Sequence, residues 1–305
     1  MRPTLLLAGL LATVLRAAAV EPPPETVSLA GVIDFHAHSA PDTTGRSLNS
    51  FEVVRQARAA GMRAVVLKNH FVTTAALAQL AMQEIGGIEV FGGIVLNRSM
   101  GGINPEAVRR MVEVEGQRGK VVWLPTFDAE NQVKFSKADR PFVSVVRDGQ
   151  PVPALAEIFP LVATHDLILA SGHSSAAEAL VVFTAARAAG VKRLLATHVL
   201  ADSTRATPEQ MQRLAALGVM MEFTWLTHLP PPAGQGVPVA DCARAISAVG
   251  AEHFLISSDL GQPNTPVHTD GLRAFITALK AEGIKDADLD LITRQNPARL
   301  LGLKP

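Results

Sequence analysis

After residue 30 the hydrophobic positions gather in short runs with little polar alternation. They are GVIDFHAH (31–38), RAVVLKNH (63–70), IEVFGGIVLN (88–97), KVVWLPTFD (120–128), LILASGH (167–173), RLLATHV (193–199), VMMEFTW (219–225) and HFLISSDLG (253–261). Runs of this kind predict strands covered on both faces. Between them the pattern turns helical. SFEVVRQARAAG, SSAAEALVVFTAARAAG, TPEQMQRLAALG and VADCARAISAVG each predict a helix stopped by a glycine, with Ser50 as a candidate N-cap and Pro208 in a first turn. Strand-then-helix alternation implies parallel strands with right-handed crossovers. Eight such units predict a closed (β/α)8 TIM barrel, with a doubly wound open sheet as the competing arrangement.

Two stretches depart from the alternation. Residues 128–152 form a long excursion after the fourth strand, and Asp148-Gly149 within it is a hairpin signal. It predicts a small β-flap over the barrel mouth. LPPPAGQGVP (229–238) predicts a further structured loop, and DLDLITRQNPARLLGL a closing helix, or two short ones, packed on the barrel.

The N-terminus reads MRPTLLLAGLLATVLRAAAVEPPPE. Arg2, the apolar run Leu5 to Leu15 and the small residues Ala17, Ala18 and Ala19 have the layout of a secretory signal peptide cleaved after Ala19. The run is short for a bilayer span, and an uncleaved anchor is the alternative. The expected organisation is a signal peptide over 1–19, a linker over 20–28 and a barrel over 29–305. The expected location is the periplasm or outside the cell.

Composition narrows the partners. Hydrophobic residues make up 48%, enough for a sizeable core, and 28 Lys+Arg balance 28 Asp+Glu. With zero net charge, no basic excess points to nucleic acid or an anionic membrane. A small-molecule substrate is expected, with no membrane role beyond export and homo-oligomerisation left open. The single cysteine, Cys242, expected in the core, excludes an internal disulfide and a thiolate zinc cluster. Any metal site has to use histidines and carboxylates.

The titratable residues fall in register. His36 and His38 end the first run, Lys68 and His70 the second, Thr126 and Asp128 the fourth, His173 the fifth, His198 the sixth and Asp259 the eighth; Glu222 lies within the seventh. Strand residues two apart share a face, and the C-terminal ends of barrel strands meet at one mouth. A lone strand-end histidine is more often structural, and His-x-His alone is a weak signal. Four histidines and one aspartate at equivalent strand ends point to a site of N and O donors, suited to zinc, manganese or iron(II). Asp34 is expected to share the face of His36 and orient a ligand histidine. Glu222 reads equally as a structural carboxylate or an extra site acid. Lys68, His70 and Arg46, the last in the loop APDTTGRS, are candidates for holding a carboxylate or phosphate. A snorkelling lysine and an exposed loop arginine are the plainer alternatives. No phosphate loop or nucleophile elbow is present.

Together DFHAH, SGHSS, ATHV, SSDLG and NPARLLGL, spread over residues 31–303, resemble the amidohydrolase superfamily of metal-dependent hydrolases. KNH and HSAPD look like a poorly characterised branch of it, a domain family of unknown function. The resemblance implies one or two divalent metals, zinc foremost, surrounded by His36, His38, His173, His198 and Asp259. It implies Asp259 as proton shuttle in hydrolysis of an amide, ester, lactone or cyclic amide. A phosphoesterase, a nonoxidative decarboxylase and a non-catalytic periplasmic binding protein are the alternatives. The superfamily's bridging ligand on strand 4, a carboxylated lysine or a glutamate, is missing from WLPTFD. Lys68 could replace it in carboxylated form, or stay cationic and hold an anionic substrate group.

Overall fold

The computed structural model describes residues 27–304. The expected signal peptide and most of the linker lie outside the described residues. Ten strands follow in chain order: β1 (Ile33–His38), β2 (Ala64–Lys68), β3 (Glu89–Val95), β4 (Gly119–Trp123), β5 (Val146–Arg147), β6 (Gln150–Pro151), β7 (Ile168–Ala170), β8 (Arg193–Ala196), β9 (Met220–Thr224) and β10 (Phe254–Ser257). Eight of them form one sheet in the order β1-β2-β3-β4-β7-β8-β9-β10, with parallel pairing throughout. The ends of this order meet. Ala37 bridges Leu260, His38 N–H donates to the Leu260 carbonyl at 2.9 Å, and Asp259 N–H donates to the His36 carbonyl at 2.8 Å. The sheet is therefore a (β/α)8 barrel and not an open doubly wound sheet. Each of the eight predicted runs matches one barrel strand, with β4 starting one residue before its run. Apart from β1, the strands stop short of the runs at the mouth, where residues such as His70 and His173 belong to loops.

Strand side chains divide between two cores. Ile33, Phe35, Val66, Val121, Trp123 and Leu255 belong to an inner cluster to which Leu300 and Leu301 of the closing helix also belong. Residues of the opposite phase pack with the helices in a larger outer cluster. Burial of each such large apolar side chain contributes about 1.5–3 kcal/mol. Gly93 marks a bulge between β3 and β4, where an added Cβ would run into the Val121 carbonyl and the Trp123 ring.

The helix Ser50–Ala59 is capped one residue earlier than its sequence suggests. Asn49 accepts from Glu52 N–H at 2.9 Å, and Glu52 accepts from Asn49 N–H at 2.7 Å, a complete capping box. Ser50 is the first helical residue, and its hydroxyl instead donates to the Ala40 carbonyl of the β1 loop at 3.1 Å. In the excursion after β4, β5 and β6 pair as an antiparallel hairpin, with Asp148 and Gly149 both at positive φ (51° and 73°). The hairpin packs on the helix Ala176–Ala188 in the outer layer. The part of the excursion that reaches the mouth is the short helix Glu130–Phe135. Asn131 fastens this helix there by donating to the carbonyls of His173 (2.9 Å) and Ser203 (2.6 Å).

Candidate metal centre

β1 brings its two histidines to the mouth through an irregularity. Ile33 and Phe35 point into the barrel, yet Ala37 packs with the outer core, and the register of β1 against β2 shifts between Asp34 and Ala37. The bulge reverses the alternation and turns His36 and His38 inward. Asp34 consequently does not share their face. It accepts from Ser258 N–H (3.0 Å), Ser258 Oγ–H (2.6 Å) and His36 N–H (3.2 Å), so it ties β1 to β10 through the backbone and orients no imidazole.

The ring of His36 is held by Glu222, a role the sequence left open. Both carboxylate oxygens lie 3.3 Å from Nδ1, and one also accepts from His198 N–H at 3.2 Å. With Nδ1–H directed at Glu222, Nε2 turns to the cavity. There it lies 3.0 Å from Asp259 Oδ1 and 2.9 Å from Lys68 Nζ, and His38 Nε2 lies 3.2 Å from the same Asp259 oxygen. The ligand atoms of His36, His38 and Asp259 all fall within 4.8 Å of one another. His198 stacks 6.2 Å from His36 between ring centroids, and His173 packs edge-on to His198 at 4.9 Å. His198 Nδ1–H donates to Thr204 Oγ1 (3.0 Å), whose own proton goes to the His198 carbonyl (2.9 Å).

Above this floor opens a cavity of about 550 Å³. His38, Lys68, His70, His173, His198, Asp259 and Arg46 line it, and His36 lies beneath. All eight residues singled out in the sequence thus come to one place. Arg46 is not a free surface arginine: its side chain is 6% exposed and grips Asp42 through Nε (2.7 Å) and Nη2 (2.6 Å). Phe71, Phe127 and Phe135 form an apolar wall beside His70. Nothing in the sequence marked Asn97 or Thr204, and Asp42 stood only as the end of HSAPD; all three act through contacts with the site residues. Strand 4 contributes no carboxylate. Asp128 turns outward to Arg140 (2.5 Å) and the Arg98 N–H (2.9 Å), and Thr126 Oγ1 pairs with His70 Nδ1 at 2.9 Å.

Two site residues sit on strained backbone. His198 (φ 31°) and Asp259 (φ 54°) occupy the left-handed side of φ, which costs a non-glycine residue about 1–3 kcal/mol. Just beyond, Gly261 (φ 129°) lets the loop pass against the His38 carbonyl, where an added Cβ would collide.

The electrostatics follow from burial and crowding. Burial pushes His38 down to about 3 and His198 to about 4. It also holds His70 and His173 well below the ordinary imidazole range. For His36 burial is outweighed by Asp259 and Glu222, which carry it up to about 8 against Lys68. Burial draws Lys68 down to about 8 despite Asp259 and Glu222. Burial alone would raise Asp259, but His36 and His38 hold its carboxyl well below the usual range.

This donor set fits a divalent cation. Two imidazole Nε2 atoms and an ionised carboxylate oxygen converge where only a proton or a cation reconciles their lone pairs, and neighbouring His173 Nδ1 is buried without a partner. The N and O donors suit zinc and its neighbours in the first transition row. His36, His38 and Asp259 would hold the ion, with His198 and His173 beside them.

The architecture has known counterparts. The organophosphorus hydrolase from Deinococcus radiodurans superposes with a TM-score of 0.61 at 16% identity, over 90% of this chain and 93% of that one. An amidohydrolase from Burkholderia multivorans, solved with bound zinc, gives 0.61 at 14% identity, over 90% and 100%. A 2,6-dihydroxybenzoate decarboxylase bound to 2,6-dihydroxybenzoate gives 0.58 at 13% identity, over 90% and 100%. At these identities the likeness is one of fold, that of the (β/α)8 barrel. No curated protein sequence matches the chain. One family profile does, over residues 31–222, a span that holds His36, His38, Lys68, His70, His173, His198 and Glu222 and ends before Asp259. The chain belongs to that family, a family of unknown function designated DUF6282.

Proposed function

We propose that this protein is an exported, metal-dependent hydrolase of a small anionic substrate bearing an amide, ester, lactone or cyclic amide bond. The observation that carries the reading is the convergence of His36 Nε2, His38 Nε2 and Asp259 Oδ1 at the base of an open cavity. A divalent cation, zinc foremost, supplies Lewis-acid polarisation and water activation near neutral pH when bound there. Asp259 is ionised, with Oδ1 engaged by the two imidazoles. Its second oxygen takes a proton from the attacking water and returns it to the leaving group. Arg46, preset by Asp42, and Lys68 attract the anionic group of the substrate. Phe71, Phe127 and Phe135 exclude water from its apolar part and favour a flat one.

The test is metal analysis of protein purified without chelator, followed by assay against esters, lactones, amides and phosphoesters. Asp259→Asn is expected to lower turnover by about 100- to 10,000-fold. Unchanged turnover in that variant would sink the proton-transfer role. A second reading is nonoxidative decarboxylation, favoured by the lack of a strand-4 carboxylate at the cation site. Release of carbon dioxide from an aryl carboxylate, without hydrolysis of any ester or amide, would decide for it. Export is tested by cell fractionation and N-terminal sequencing, with Val20 expected as the first residue of the mature chain.

A further inference from the structure

Five imidazoles crowd this mouth, and the groups behind them divide them by tautomer. His36 and His198 each direct Nδ1 at a group that can only accept, Glu222 and Thr204 Oγ1, which leaves the Nε2 lone pair for a cation. The His38 Nδ1 meets only a donor, Arg46 Nη2, at the long distance of 3.5 Å, so that ring is held weakly, with Nδ1 as acceptor. His70 is different, and the reason begins at Asn97, which is fully buried at the end of β3.

The Asn97 amide has only one orientation open to it. Its Oδ1 accepts from the backbone N–H groups of Thr126 (2.8 Å) and Asp128 (3.3 Å), and its Nδ2 donates to the His70 carbonyl (2.9 Å). The remaining Nδ2 hydrogen therefore goes to Thr126 Oγ1 at 2.8 Å. Thr126 is itself fully buried, and the acceptor its hydroxyl proton finds among the described residues is His70 Nδ1 at 2.9 Å. A buried hydroxyl that has accepted one hydrogen must donate its own. His70 Nδ1 is thus an acceptor, and the ring proton sits on Nε2. That edge lines the cavity, with the ring clamped between Phe127 (4.3 Å) and His38 (4.7 Å).

We propose that His70 is not a metal ligand but a hydrogen-bond donor, through Nε2–H, to an oxygen of the bound substrate, and that Asn97 and Thr126 are positioning residues that hold it in that tautomer. The meaning of the donor rests on the hydrolase reading; the tautomer and the exclusion from the metal do not. An imidazole N–H fixed this way adds stabilisation as negative charge builds on a substrate oxygen, with no reorganisation at that moment.

The test uses the full chain labelled with ¹⁵N-histidine, stripped of metal and observed by long-range proton–nitrogen correlation at neutral pH. The His70 signals are identified by their absence in His70→Gln. The native protein is expected to show His70 with the proton on Nε2. Thr126→Val should release the Nδ1–H form, and Thr126→Ser should restore the native pattern. On adding zinc, the ε-nitrogens of His36 and His198 should shift while His70 keeps its Nε2 proton, and His70→Gln should bind as much zinc per chain as the native protein. A proton on Nδ1 of native His70, or zinc lost from His70→Gln, overturns the proposal. If Thr126→Val does not fold, the native tautomer and the zinc count decide. A chain that takes up no zinc defeats the hydrolase reading, and the metal-free tautomer still decides the case of His70.

Discussion

Glu222 shows how one buried carboxylate sets the chemistry of a neighbour. It fixes the His36 tautomer and also accepts the His198 N–H, so two strand ends depend on it. Glu222→Gln presents an amide that can meet Nδ1 with either end, and His36 is no longer held to one tautomer. Second-sphere losses of this kind cost about 10- to 100-fold in metal affinity. That drop is expected in competition with a chromophoric chelator, with the far-ultraviolet circular dichroism unchanged. In the sequence Glu222 was only an acidic residue in an apolar run, open to two readings. The bulge that turns the histidines toward it leaves no mark in IDFHAH, because it arises from pairing with β2.

At the scale of elements, the barrel strands depend on close backbone passage and on the closing segment. Gly93→Ala places a methyl group against the Val121 carbonyl and the Trp123 ring, and overpacking of this kind costs about 1–3 kcal/mol. The urea midpoint is expected to fall, with the slope unchanged. Asn296, fully buried in the closing helix, donates to the carbonyls of Ala251 (2.9 Å) and Phe254 (2.7 Å). Asn296→Ala strands both acceptors and is expected to cost about 1–3 kcal/mol in the same measurement. Helix stops and the hairpin turn were readable because glycine and Asp-Gly act locally. Where the hairpin lies was not, because its position on the helix Ala176–Ala188 depends on a surface assembled from distant segments.

For the whole molecule, the mouth concentrates groups that only the folded state perturbs. A cation that binds the folded chain alone at 100 times its Kd adds about 2.7 kcal/mol. For a chain of this size that raises Tm by about 4–5 °C. Differential scanning fluorimetry with zinc against chelator should show the rise in native protein and its loss in His36→Ala. The metal-free protein should weaken in acid. His38 and His198 titrate at about 3 and about 4 when folded, against an ordinary value of 6.5. The unfolded chain therefore binds more protons in that window. Their contribution is whole above pH 6.5 and is lost as pH falls toward 3, and the depressed Asp259 and Glu222 act in the same direction. Urea midpoints of metal-free protein should fall between pH 7 and pH 5.

Alternation of apolar runs with helical patterns was enough to imply eight parallel strands, and strand-end placement was enough to gather seven polar residues at one mouth. Both are consequences of period and order along the chain, which any closed β/α barrel converts into position. Tertiary structure alone decided which atoms of those residues face one another. The β1 bulge, the Glu222 acceptor, the Asn97–Thr126 relay and the outward turn of Asp128 each join residues far apart in sequence or depend on cross-strand register. Hydrogen-bond direction in a buried site is set by whichever donor or acceptor lies within reach, and that neighbour is seldom written next to it in the chain.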